Sequence, residues 1–283
     1  CTYAPDPTGE WRIKRNLTLA AAALVATTSM LPATATAQSS EKWEFMASIY
    51  GWFPTIGGKT TFPEKNGGAS GSVDAETILE NLEVVFMGTL AAQKGRWGVF
   101  TDVVYMDVGN TRSDTREVSV GGIGIPADAS ASINYDLKGW AWTTAGTYRL
   151  ASDPALTLDV LGGVRMLDIE QKIGWQLSGN LAGIPTPGHQ GNSDVSLTNW
   201  DAIIGLKGKY AFGDERRWYV PYYVDVGTGD SDLTWQAMTG LGYSFKWGDV
   251  FAAWRYLDYN MKSGDKIEDM NFNGPAIGVN FRW

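Results

Sequence analysis

Three observations predict an all-β protein, a membrane-spanning antiparallel up-and-down barrel of ten strands, with eight or twelve as the alternatives. Apolar residues alternate with small or polar ones in segment after segment from residue 42 onward. The connections between segments are tight at one end and mostly long at the other. Aromatic residues collect near both ends of the segments.

Alternation comes first, because successive side chains of a strand point to opposite faces. In 232–247, Leu233, Trp235, Ala237, Leu241, Tyr243, Phe245 and Trp247 share one face, and Thr234, Gln236, Met238, Gly240, Gly242, Ser244 and Lys246 share the other. In 218–227, Trp218, Val220, Tyr222, Val224 and Val226 oppose Tyr219, Pro221, Tyr223, Asp225 and Gly227. The same split predicts strands near 42–54, 82–94, 96–109, 133–150, 155–172, 195–212, 217–228, 231–247, 249–262 and 268–283.

Tight turns are expected at Gly95-Arg96, Ser152-Asp153-Pro154, Gly213-Asp214-Glu215 and Gly248-Asp249. Longer links are expected at 55–81, 110–132 and 173–194, with shorter ones at 228–231 and 263–267. This is the arrangement of periplasmic turns and surface loops, and an even strand count puts both ends of the barrel on the periplasmic side. Within the first long link, Asp74 to Leu82 reads as a short capped helix placed as a lid over the barrel mouth.

The tight-turn side carries Trp43, Trp97, Tyr148, Tyr210, Trp218, Trp247 and Trp283. The loop side carries Phe53, Tyr105, Trp140, Trp200, Trp235 and Tyr256. A spacing of about 8–12 residues, at ~3.3 Å per residue and a tilt near 40°, separates two girdles by roughly 20–30 Å, the height of an apolar band. A soluble barrel has no use for such a pair.

In the last strand Pro275, Ile277, Val279, Phe281 and Trp283 alternate with Ala276, Gly278, Asn280 and Arg282. With Gly278, Phe281 and Trp283 as its signal, this strand resembles the terminal segment read by the barrel-assembly machinery, where Phe is the usual last residue. That machinery and periplasmic chaperones are the expected partners during biogenesis.

Composition agrees. The 283 residues include Trp 13, Tyr 12, Phe 10 and Gly 34, the mixture a barrel with aromatic belts requires. With 23 basic and 31 acidic groups, net charge -8, the chain lacks the basic face that nucleic acid demands. Cys1 is the sole cysteine, so neither an internal disulfide nor a cysteine metal site is expected. Near the N-terminus, Arg12, Lys14 and Arg15 precede an apolar run from Leu17 to Leu31, then Pro32 and Ala35-Thr36-Ala37. That order reads as a signal peptide over 1–37, with the barrel expected over 38–283. The residues before Arg12 fit neither an n-region nor a lipoprotein signal, and the translation start is expected to lie elsewhere than at Cys1.

Asn81-Leu82, Lys94-Gly95-Arg96-Trp97, Asp102 to Tyr105 and Trp254-Arg255-Tyr256-Leu257-Asp258-Tyr259 together resemble a widespread group of proteobacterial outer-membrane β-barrel proteins without an assigned activity. The resemblance spans 38–283. It implies the fold and an outer-membrane location, and it brings no catalytic set and no substrate.

Projected inward, the polar faces give a lumen holding Glu44, Glu83, Asp102, Asp159, Arg165, Asp201, Lys207, Lys209, Asp225, Lys246 and Arg255. Ten strands enclose little more than side chains can fill. Inward bulk at Met46, Tyr50, Trp52, Phe100, Tyr219 and Tyr223 points to a plugged, charge-paired lumen, with a narrow conduit for small or amphipathic solutes as the alternative. Gly57-Gly58-Lys59-Thr60 lacks the first glycine of a phosphate loop, and Gly121-Gly122-Ile123-Gly124 lacks a βαβ context. The single histidine, His189, sits in the Gly/Pro-rich Pro187-Gly188-His189-Gln190-Gly191, with Ser193 and Asp194 nearby; a rim enzyme using that histidine is the third reading. Acidic stretches Asp225 to Asp232 and Asp265 to Asp269 lack the spacing of an EF-hand and read as exposed loop charge. The expectation is a monomeric, non-enzymatic barrel without cofactor or metal. Its surroundings are outer-membrane lipid and lipopolysaccharide, and its role is envelope structure or loop-mediated binding.

Overall fold

A computed structural model describes residues 42–60, 69–73, 76, 82–113, 119–120, 129–181, 184–263 and 267–283. The expected signal segment lies outside these residues. So does the expected lid, except for Glu76, which is helical, and Leu82, which opens a strand. The described strands are β1 (Trp43–Trp52), β2 (Thr55–Thr60), β3 (Ala69–Val73), β4 (Leu82–Lys94), β5 (Trp97–Ser113), β6 (Ser119–Val120), β7 (Ala129–Ser152), β8 (Leu156–Leu181), β9 (Ile184–Phe212), β10 (Trp218–Gly229), β11 (Ser231–Ser244), β12 (Gly248–Met261) and β13 (Ile267–Arg282).

Ten of them close an antiparallel barrel in the order β1-β4-β5-β7-β8-β9-β10-β11-β12-β13, and β13 returns to β1. The expected fold class and strand number are both present. The other three strands belong to the loop-side rim. Pro54 has no N–H to give a ladder, so the line of β1 breaks there. It resumes as β2 on the same partner, β13, and β3 and β6 add to it in turn.

The tight turns follow their chemistry. Lys94 pairs with Trp97, leaving Gly95-Arg96 as a two-residue hairpin loop. Gly95 takes φ 59, the left-handed first position of a type II′ turn, which suits glycine. At the β7–β8 turn the Asp153 carboxylate accepts the N–H groups of Ala155 and Leu156 at 2.8 and 2.9 Å, which holds its pKa below the ordinary carboxylate value.

One connection departs from expectation. Residues 173–194, expected as a long loop, continue the ladder of β8 and β9 up to Leu181 opposite Ile184. These strands reach 26 and 29 residues, against 14 in β11 and in β12. The Gly/Pro content of the stretch signals a loop, yet β9 pairs with β10 only from Asp201 onward and Trp200 is bonded to Asp230, so among the described residues 184–199 form an edge. Proline is tolerated on an edge, where its missing N–H removes no ladder bond.

The outer wall between the two aromatic rows is apolar, with Val99, Val164, Ile204, Leu206, Val224, Leu241 and Ile277 all exposed. On the tight-turn side, Trp97 meets Tyr148, Trp218 meets Tyr243, and Trp247 lies between Phe245 and Phe281, with centroids 4.8–5.9 Å apart. Phe45 stacks between Trp43 and Trp283, and Phe45 and Trp283 exchange backbone hydrogen bonds of 2.9 and 3.2 Å. On the loop side, Tyr105 packs on Trp140 and Trp235 on Tyr256.

Beyond the loop-side row the polarity inverts. Ion pairs Lys138–Asp107 and Lys172–Glu170 occupy the outside. The inside becomes a hydrophobic core that includes Trp52, Val104, Met106, Leu137, Leu167, Ile169, Leu257 and Phe272. The barrel therefore has a lipid-facing band with a polar interior, continued by a water-facing portion with an apolar interior.

This boundary predicts opposite tolerances. Val164→Arg, midway between the rows, lowers stability by about 2–4 kcal/mol in urea unfolding from phospholipid vesicles, whereas Glu170→Arg leaves it unchanged. Equal losses would mean that the band is misplaced. Gly95→Ala, which forces a side chain into positive φ, costs about 1 kcal/mol in the same assay.

Candidate functional site

The lumen is layered along the strands. From the tight-turn end it passes through a charged mouth, a thin apolar layer, a polar layer, and the apolar core of the loop-side portion.

The polar layer holds most of the expected charges. Asp102, from β5, accepts hydrogen bonds from Tyr50 and Thr89 at 2.7 and 2.6 Å and pairs with Arg255, from β12, at 3.0 Å. Arg255 also donates to Tyr50 at 2.9 Å and to Gln236 at 2.9 and 3.2 Å, and its guanidinium lies 4.6 Å from the Trp52 ring centroid. In the closed strand order, β5 and β12 stand four strands apart round the ring, so this pair spans the lumen between separate walls. Beside it, fully buried Arg165 pairs with fully buried Asp225, and donates to Thr143 at 3.2 Å and Thr234 at 3.4 Å. Tyr223 donates to the same Asp225 oxygen at 2.5 Å. Among the described residues buried Asp201 has no ion pair and is met by neutral donors instead: Asn199 at 2.6 Å, and the Ser231 hydroxyl and N–H, each at 2.9 Å.

Buried charges persist only when paired and hydrogen-bonded, and removing one partner strands the other. The Asp102–Arg255 and Arg165–Asp225 pairs meet that condition, Asp201 is held by neutral donors, and the layer draws its residues from nine of the ten strands.

Below it, Phe100, Ala145, Leu161 and Ile203 make the thin apolar layer, with Ala91 and Tyr223 packed against it. At the mouth, Asp159 takes Arg149 rather than a lysine, with contacts of 2.9 and 3.4 Å. Lys207 lies 4.3 Å from the Phe100 centroid and Lys209 5.4 Å from that of Tyr219. Arg282 pairs with Asp249.

Above it, the hydrophobic core leaves a cavity of about 30 Å³ among Trp52, Val104, Leu167, Ile169, Leu257 and Phe272. Ligand pockets usually offer roughly ten times that volume or more.

Among the expected lumen residues, Asp102, Asp159, Arg165, Asp201, Lys207, Lys209, Asp225 and Arg255 face inward. Glu44 is exposed at the mouth. Lys246 is corrected: β11 ends at Ser244, so this lysine stands exposed in the β11–β12 turn. The backbone of Glu83 lies in β4, and its side chain lies outside the described residues. Asp225, also expected in an acidic loop, is instead buried, because β10 continues to Gly229. Gly278, in the expected assembly signal, sits where Tyr50 and the Phe251 ring close over the backbone, leaving no room for a Cβ. Phe281 and Trp283 lie on the outer wall. Arg149, Arg282 and Asp249 were not expected at the mouth. Period two carried one turn further from Thr143 and Thr147 would have found Arg149.

His189 lies in β9 opposite Leu177, not in a loop. Asp194 is five residues along the same extended strand, roughly 16 Å away at ~3.3 Å per residue, so local spacing does not build a dyad. Among the described residues no group of three or more metal-ligating side chains is assembled.

No family model and no curated protein matches the chain. Among solved structures, the outer membrane protease OmpT from Escherichia coli aligns with a TM-score of 0.52 at 10% identity, over 87% of this chain and 98% of that one. The attachment invasion locus protein Ail of Yersinia pestis aligns with a TM-score of 0.30 at 10% identity, over 86% and 99% of the two chains. Neisserial surface protein A gives 0.30 at 11% identity, over 84% and 96%. At these identities the likeness concerns fold, and at a TM-score of 0.30 it adds nothing to the path of the chain. The chain has the fold of bacterial outer-membrane β-barrels, in agreement with the location its sequence predicts.

Proposed function

We propose that this chain is a closed, non-enzymatic outer-membrane barrel that holds a binding surface on its long outer strands, rather than a conduit. The observation that carries this reading is the Asp102–Arg255 pair, which spans the lumen between strands four apart in the ring and is backed by Arg165–Asp225 beside it and apolar layers on either side. A lumen built to conduct would keep its charges facing water. Here they face each other. The outer part is where the chain is extended, because β8 and β9 rise well beyond the residues paired to β10.

Planar-bilayer recording tests closure. The wild-type protein gives no discrete openings, and a variant with Asp102, Arg165, Asp225 and Arg255 all changed to Ala conducts. Salt-dependent openings of the wild type would overturn the reading. Stability reports the same tie. Asp102→Ala, which leaves Arg255 charged and buried, lowers unfolding stability by about 3–5 kcal/mol, and the paired Asp102→Leu/Arg255→Met replacement costs far less.

The surface role is tested separately. Replacing 175–191 by a two-residue Asn-Gly turn between the partners Gly174 and Asn192 keeps a barrel that migrates differently unboiled and boiled. On cells it abolishes whatever surface attachment the intact protein confers. Attachment that survives the deletion intact would refute the assignment to this hairpin.

A further inference from the structure

The tight-turn mouth differs from the layers above it in how its charges are matched. Arg149, Lys207, Lys209 and Arg282 gather there from β7, β9 and β13. The carboxylates within reach are already engaged: Asp159 by two nitrogens of Arg149, and Asp249 by Arg282. Glu44 stands exposed at the edge of the opening.

Lys207 and Lys209 form no ion pair among the described residues. Each instead rests on an aromatic ring, Phe100 and Tyr219 respectively. Lys207 is opposite Asp159 in the ladder, yet that carboxylate turns to Arg149. The charges that bear on Lys209 are Arg282 and Arg149, both cations, and those on Lys207 include the carboxylates of Asp159 and Asp102, each already paired to an arginine. Two residues apart on one strand, the lysines point the same way, about 7 Å apart along β9. Each ammonium lies over an aromatic face, and among the described residues neither donates a hydrogen bond to an oxygen acceptor.

We propose that the tight-turn mouth of the lumen is an anion site, taking one small oxyanion of the phosphate or sulfate type between Lys207 and Lys209, with Arg149 and Arg282 at its margin. The anion enters from the aqueous mouth, since all four side chains project into the lumen. The thin apolar layer of Phe100, Ala145, Leu161 and Ile203 stops it from going further. The site depends on these side chains alone, and stands whether or not the lumen conducts.

Calorimetric titration of the folded protein in uncharged detergent, with inorganic phosphate against chloride at matched ionic strength, tests it. The wild type shows saturable binding of one phosphate. The Lys207→Met/Lys209→Met variant, its fold checked by heat-modifiable migration, binds at least about tenfold more weakly, the loss expected on removing charge-assisted hydrogen bonds. If that variant does not fold, Lys209→Gln at the open end gives the same comparison. A phosphate response no different from chloride, or undiminished affinity in a folded variant, overturns the proposal. Repeating the titration in bilayers of neutral and of anionic lipid identifies the source. Equal affinity assigns the site to a free anion, and affinity weakened by the anionic bilayer assigns it to a lipid headgroup.

Discussion

A bilayer interior offers a backbone no hydrogen-bond partner, and the rest of this structure depends on that constraint. A sheet that crosses it must close on itself, since an open edge would leave a row of unpaired N–H and C=O groups in hydrocarbon. Closure here falls on β1 and β13, from Met46 opposite Arg282 to Trp52 opposite Ala276. The seam is finished by the exchange of hydrogen bonds between Phe45 and Trp283, whose rings stack on the outer wall. The terminal aromatic residue is thus part of the seam.

Closure fixes what may stand on each side of the wall. Within the band, apolar side chains face lipid and polar ones must satisfy each other inside. Beyond it, both assignments reverse. One chain with one period of two therefore carries two kinds of core: ion pairs around Asp102 and Arg255, then Leu167, Ile169, Leu257 and their neighbours. The change occurs within a few residues on each strand, from Arg165 to Leu167 on β8 and from Arg255 to Leu257 on β12.

The two interiors are held by different physics. The apolar core gains from burial and needs no particular geometry beyond fit. The polar layer gains little from burial itself and is governed by matching, because an unmatched charge there is costly. This explains why Asp201, without a cationic partner among the described residues, has collected Asn199 and two groups of Ser231. It also sets the mouth apart, where Lys207 and Lys209 are left to aromatic faces.

The ten strands, their order of turns and the outward aromatic rows were legible in the sequence, because period-two alternation and turn chemistry act over neighbouring residues. Most of the inward charges were legible for the same reason: facing inward is a local property of a strand. What they face is not. That Asp102 meets Arg255, 153 residues away, depends on which strands the closed barrel sets opposite each other. Which carboxylate takes Arg149, and which lysines go without, follows from the same closure. The length of β8 and β9 was hidden by glycine and proline that an edge can hold and an interior strand cannot. Local pattern determined the wall and the direction of each side chain; only closure decided the partners, because it brings together residues that no short stretch of sequence connects.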